Sequence, residues 1–180
     1  EGRIALCILA ALNWGKINKP QDFEKPCTLV VRALDALIDI QKYLLPATEL
    51  ATKEYRPIGV GTLNFTHWLA KNNTNYTDCD LDLLHEYCEA YSYYLIKASI
   101  DLAEEFGPCD LAENTKYSQG IFPIDTYKKD VDTLVKPSYK MPWKELKDRA
   151  KTLKELAELT KEILTPPTER RQSPCRPSWK

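Results

Sequence analysis

The 180-residue chain has little that would tie it to a membrane, a disulfide scaffold or a polyanion. No apolar run approaches the roughly 18 residues a membrane span needs; the longest, Ile4 to Leu12, is half that. Six cysteines (Cys7, Cys27, Cys79, Cys88, Cys109 and Cys175) occur without a single CxxC pair, against both a disulfide framework and a zinc ribbon and for a reducing cytoplasm. The formal charge is -1, with basic and acidic residues interspersed, so neither nucleic acid nor an anionic lipid surface is drawn to it at long range. The opening residues lack a secretory pattern, and a start at Glu1 without methionine is expected of a processed end or a fragment boundary. The sequons at Asn64, Asn72 and Asn75 are therefore taken as chance. There is no P-loop, GxSxG, HExxH or kinase signature, and Gly59-Val60-Gly61 lacks the third glycine and downstream acid of a dinucleotide fingerprint. Close helix-to-strand packing is the expected use of those two glycines.

What is present suits a folded domain: 43% hydrophobic and 28% charged residues, enough for a core. Ile4 to Leu12 is uniformly apolar, which predicts a fully buried strand ending at Asn13-Trp14-Gly15. Pro20 and Asp22 introduce a helix over about 23–44, with Val30, Ala33, Leu34, Leu37 and Leu44 on its inward face. A short helical or irregular stretch follows Pro46. Residues 57–61 then form a second strand leading directly into a helix over 63–71. This strand, helix, strand, helix order defines an α/β fold with a parallel sheet, because parallel neighbours need a crossover helix.

A long helix over about 80–106 carries Leu81, Leu84, Cys88, Tyr91, Leu95, Ala98 and Leu102 on one stripe and stops at Gly107-Pro108. Residues 109–123 form a loop with a short extended piece at 120–123, and a short helix runs from Asp125 to Leu134. From Trp143 to Leu164 the apolar spacing 4-3-4-3-4 through Leu146, Ala150, Leu153, Ala157, Thr160 and Leu164 marks an amphipathic helix. Three parts result: residues 1–141, the helix at 142–164, and a proline-rich tail at 165–180 without periodicity, expected to be loosely draped.

Most candidate sites have ordinary explanations. Cys79, His85 and Cys88 match no common zinc spacing, so no metal is expected. His67, beside Trp68, is expected to be a partly buried, satisfied histidine. Glu104-Glu105 and Asp80-Asp82 suit helix ends and solvent faces. Tyr87, Tyr91 and Tyr94 have helical spacing and suit packing. Cys7 on its apolar strand would, on physics alone, be a small hydrophobe.

Five collinear blocks alter that last reading: GRIALCILAALNWGKI (2–17), LVVRALDALIDIQKY (29–43), RPIGVGTLNFTHWLAKNN (56–73), EAYSYYLIKASIDLAEEFGPC (89–109) and YSQGIFPIDTYKKDVDTL (117–134). Together they resemble the large, catalytic alpha subunit of class I ribonucleotide reductases, most closely the bacteriophage versions, over about residues 1–148. The resemblance implies part of that family's barrel, helix-rich with a few short parallel strands. It implies that Cys7 is one of two cysteines that close to a disulfide while reducing ribonucleotides to deoxyribonucleotides. The second of that pair, the radical cysteine and the neighbouring Asn and Glu would belong upstream, and the relay tyrosines and C-terminal cysteine tail downstream. Asn13 and Asn64, at the strand ends, are weaker candidates for lining the same interior.

Implied partners are the remaining large-subunit segments, the small subunit, a thioredoxin- or glutaredoxin-type reductant and a ribonucleoside diphosphate. The chain itself would hold no cofactor, the radical and di-iron centre belonging to the small subunit. The alternative is a non-catalytic remnant that binds a partner or serves as a structural module, with the 143–164 helix as its contact surface.

Overall fold

The computed structural model describes residues 2–126 and 139–164, with side chains to residue 157. Two short strands, β1 (Ile8–Asn13) and β2 (Ile58–Leu63), pair in parallel with Ile8 opposite Ile58 and Asn13 opposite Leu63. The crossover between them holds 3₁₀ turns at Trp14–Lys16 and Pro20–Phe23, then α1 (Glu24–Ile40) and α2 (Pro46–Tyr55). Asp22 sets the entry to α1 by accepting the backbone N–H groups of Asn18 and Lys19, each at 3.2 Å. Then come α3 (Phe65–Lys71), the central α4 (Leu81–Phe106), three 3₁₀ turns, and α5 (Trp143–Leu164). Among the described residues the strands form no closed barrel, and no helix is long and apolar enough to cross a membrane.

The first strand differs from its sequence prediction. Ile4 and Leu6 lie before it and are exposed, and β1 alternates instead of being buried throughout. Leu12 and Ile58 pack toward the helices, which puts Ile8, Ala10 and Leu12 on the covered face. Cys7, Leu9, Ala11 and Asn13 share the other face with Gly59, Gly61 and Leu63, and there Leu9 is 74% exposed. A uniformly apolar strand implies cover on both sides; these two strands have helices on one.

Helix α1 forms, ending four residues earlier than predicted, but turns a different stripe inward: Cys27, Val31, Leu34 and Ile38. Of the residues predicted to face the core, only Leu34 is buried and Val30 is partly so; Ala33, Leu37 and Leu44 are exposed. Both sides of this helix are apolar, so its periodicity fits two faces equally well. Helix α4 is held at both ends as predicted. Asp80 accepts the Leu83 N–H at 3.0 Å, and Gly107 terminates the helix at φ 87°. It is buried on two sides, through Tyr87, Ala90, Tyr94, Ala98 and Leu102 on one and Glu89, Tyr93, Ile96 and Ile100 on the other.

The core centres on aromatic rings. Trp14 lies 5.1 to 6.3 Å, centroid to centroid, from Phe23, Phe65, Trp68, Tyr87 and Tyr91, mostly edge-on or tilted. Among the described residues the buried Trp14 Nε1 meets no hydrogen-bond acceptor. Helix α5 joins the same core through Trp143, Leu146 and Ala150, so it folds back as an amphipathic helix in a monomer should. Residues 120–123 form no strand: Gly120 is left-handed at φ 69° and Phe122 is buried. Of the helix expected over 125–134, Asp125 stands in a 3₁₀ turn (Pro123–Thr126) and the rest lies outside the described residues, as does the expected tail.

Candidate functional site: an open sheet face

The uncovered face of the β1–β2 sheet gathers the sequence-predicted site residues at its two ends. Cys7 stands just before β1, where the Ile8 N–H donates to the Pro57 carbonyl at 3.1 Å and fixes the register. Its thiol is exposed and points weakly at its neighbour's carbonyl, Sγ to the Ile8 oxygen 3.8 Å. At the far end Asn64 adopts a left-handed conformation, φ 60°, one that asparagine tolerates better than most residues. That turn brings its amide Nδ2 to donate to the Asn13 Oδ1 at 3.1 Å. Six residues of extended chain, about 20 Å at ~3.3 Å each, separate this pair from Cys7. The two asparagines therefore come together, and Cys7 stands apart from them on the same surface.

Gly15 explains the tightness of the asparagine end. A Cβ there would come within 2.4 Å of Asn64 Nδ2 and 2.8 Å of His67 Cδ2, so a side chain at residue 15 would displace the Asn64 amide from Asn13. His67 is exposed at this end of the sheet, not partly buried as the apolar residues around it suggested: Trp68 and Leu69 take the inward positions of α3, and residue 67 turns outward. Gly59 and Gly61 also serve differently from the helix-packing role predicted. Their missing side chains point to the open face, where a Cβ at Gly59 would meet Leu9 and Cys7 and one at Gly61 would meet Ala11.

Among the described cysteines Cys7 and Cys88 are exposed, and of these two Cys7 stands on the open sheet face. Burial pushes the Cys27 thiol up to about 12 and raises that of Cys109, so neither forms thiolate readily at neutral pH. Five free cysteines occur among the described residues, with no disulfide. No three His, Cys, Asp or Glu side chains converge there as a metal site would require, the Cys79, His85 and Cys88 trio included.

Two polar clusters escaped the sequence reading, and both hold the frame. The carboxylate of Glu89 is buried on α4 and accepts three N–H groups: Trp143 Nε1 at 2.8 Å, Met141 N at 3.0 Å and Lys140 N at 3.1 Å. A glutamate flanked by Cys88 and Ala90 inside an otherwise apolar stretch was the available signal. Arg56, left-handed at φ 47°, closes α2 and turns the chain into β2. Although burial opposes its charge, hydrogen bonds to Asp39 and Asp35 raise its pKa, through contacts of 2.5 Å to Asp35 and 2.8 and 2.9 Å to Asp39. The acidic pair at 104–105 is also engaged: Glu104 binds Arg149 of α5 at 2.6 Å and Glu105 pairs with Arg32 of α1. The tyrosine stripe packs as predicted, Tyr87 donating to the Asn18 carbonyl at 2.7 Å and Tyr91 to that of Gly61 at 2.9 Å.

A parallel strand pair joined by a helical crossover, packed on one face and open on the other, is the repeating unit from which α/β barrels are built. The family model for the ribonucleotide reductase barrel domain matches residues 1–154, and the chain belongs to that family. It is similar to the ribonucleoside-diphosphate reductase alpha subunits of Buchnera aphidicola subsp. Schizaphis graminum (43% identical over 152 residues) and Haemophilus influenzae (44% over 148). The corresponding subunit of Enterobacteria phage T4 is 40% identical over 156 residues. These alignments take in 84%, 82% and 84% of this chain but 20% of each relative, so the chain spans about a fifth of their length.

Proposed function

We propose that the chain acts as a segment of a ribonucleoside-diphosphate reductase alpha subunit and contributes Cys7 as one of two reducing thiols. The observation that carries this reading is the exposed Cys7 on the open face of a sheet belonging to the barrel-domain family. The two thiols close to a disulfide and release two electrons and two protons, which convert a ribonucleoside diphosphate to its deoxy form and water. The second thiol comes from a complementing alpha-subunit segment. The radical and its di-iron centre belong to a separate small subunit, and a thioredoxin- or glutaredoxin-type dithiol restores the reduced state. Asn13 and Asn64 line the same interior at its other end, and the setting is a reducing cytoplasm.

What supports the need for partners is the surface left open. Leu9 and Leu63 are exposed on the open sheet face, and Leu29, Leu37 and Ile40 on the outer side of α1, two apolar surfaces of the kind that partners cover. The same surface serves the alternative, a non-catalytic partner-binding module. Co-expression with the remaining alpha-subunit segments and the small subunit separates the two. Recovery of one assembly that reduces ribonucleoside diphosphates, and does so only with this chain present, is the expected result. Recovery of the chain as a lone stable monomer, with no reduction gained on adding it, would contradict the proposal.

A further inference from the structure

Beside Cys7, β2 contributes no side chain of its own, and Leu9 of β1 leans over the gap. A Cβ placed on Gly59 would stand 3.4 Å from Cys7 Sγ, in contact with the sulfur, and 2.8 Å from Leu9 Cδ2. One pleat further, a Cβ on Gly61 would meet only Ala11 Cβ at 3.7 Å and the Ala10 carbonyl at 3.8 Å, an ordinary fit with no contact to the thiol. Neither glycine has a positive φ, so backbone conformation does not call for glycine at either position. The covered face of β2 carries Ile58 and Val60, while on the open face its positions 59 and 61 are both glycine, so β2 adds no side chain beside the thiol.

We propose that Gly59 is a positioning residue for Cys7: by placing no side chain of its own against the sulfur, it keeps open the path along which a sulfur-bearing partner reaches Sγ. The inference rests on the redox reading of Cys7 and adds to it the residue that governs access. Thiol–disulfide exchange needs the attacking sulfur to approach the target S–S bond in line, so a group against one flank obstructs a bulky partner far more than a small one. In the exchange the Cys7 thiolate attacks the probe's divalent sulfur and forms a mixed disulfide, releasing methanesulfinate from methyl methanethiosulfonate and a nitrothiobenzoate thiolate from 5,5′-dithiobis(2-nitrobenzoate). The probe is the oxidant.

The test uses the full chain and mass spectrometry of the Cys7 peptide, labelled with methyl methanethiosulfonate as the small probe and 5,5′-dithiobis(2-nitrobenzoate) as the bulky one. Gly59→Ala should slow the bulky probe at Cys7 by about fivefold while changing the small one by less than about twofold. Gly61→Ala should match the unsubstituted chain with both. The midpoint of the rate's pH dependence should not move, because the effect is steric. Leu9 is exposed and its terminal carbon can swing aside; should Gly59→Ala nonetheless fail to fold, the double variant Leu9→Ala with Gly59→Ala removes the one contact under 3 Å and is used instead. Equal slowing of both probes, or none, would overturn the proposal. Because labelling needs no turnover, its failure is distinct from failure of the redox reading, which would show as nucleotide reduction surviving Cys7→Ser.

Discussion

At the scale of single residues, exposure separates chemistry from support. Cys7 is exposed and makes no contact stronger than its long approach to the Ile8 carbonyl, so Cys7→Ser should change unfolding free energy by less than about 0.5 kcal/mol in urea titration. In an assembled reductase the same substitution should abolish turnover. Glu89 presents the opposite case. Its loss strands three donors around a buried site, and Glu89→Ala should cost about 3 kcal/mol, with Glu89→Gln costing less because one acceptor oxygen survives. A urea midpoint for Glu89→Ala within error of the unsubstituted chain would show that α5 is held by its apolar contacts alone.

At the scale of elements, α5 and its docking carry the clearest expectations. Trp143 and Leu146 insert into the common core, so Leu146→Ala should cost about 2–5 kcal/mol and raise hydrogen exchange along α5 before the rest of the chain. The same interface depends on pH. Burial works against the charge of Asp101, but hydrogen bonds from Arg149 and Lys97 outweigh it and hold the carboxyl below its ordinary 3.8; Asp125, partly buried and bound by Lys147 and the Phe122 N–H, is also lowered. Folded-state values below the unfolded ones mean stability that is present in full above about pH 4. It is lost as pH falls through the folded values, and protection of α5 in hydrogen exchange should decline there first.

The elements also show what could be read from sequence. Asp80, Gly107 and the 4-3-4 spacing from Leu146 onward identified α4 and α5 because caps and period are local signals. The strand-and-crossover order identified the parallel pair for the same reason. The inward face of α1 and the one-sided cover of β1 were not legible, since both segments are apolar on two sides and only the neighbours decide which side is filled. At the site, Cys7 was found through resemblance rather than through any physical signal in its strand. The meeting of Asn13 with Asn64, the exposure of His67 and the orientation of Gly59 depend on a left-handed residue and a parallel register that no periodicity reveals.

At the scale of the whole molecule, the two-stranded sheet is edge on both sides and open on one face, while α1 turns leucine and isoleucine outward. Unpaired edges and apolar faces of this kind seek partners. Sedimentation velocity should therefore show the chain alone associating as its concentration rises, and complementing alpha-subunit segments should replace that self-association with a defined complex. A strictly monomeric chain at all concentrations, indifferent to those segments, would mean that the open surface has no such use. The most direct measurement is a single turnover of the assembled reductase without external reductant, followed by peptide mapping of Cys7. The redox assignment predicts Cys7 in a disulfide with a cysteine of a complementing segment, in an amount equal to the deoxyribonucleotide formed. Product formed while Cys7 remains a free thiol would contradict it.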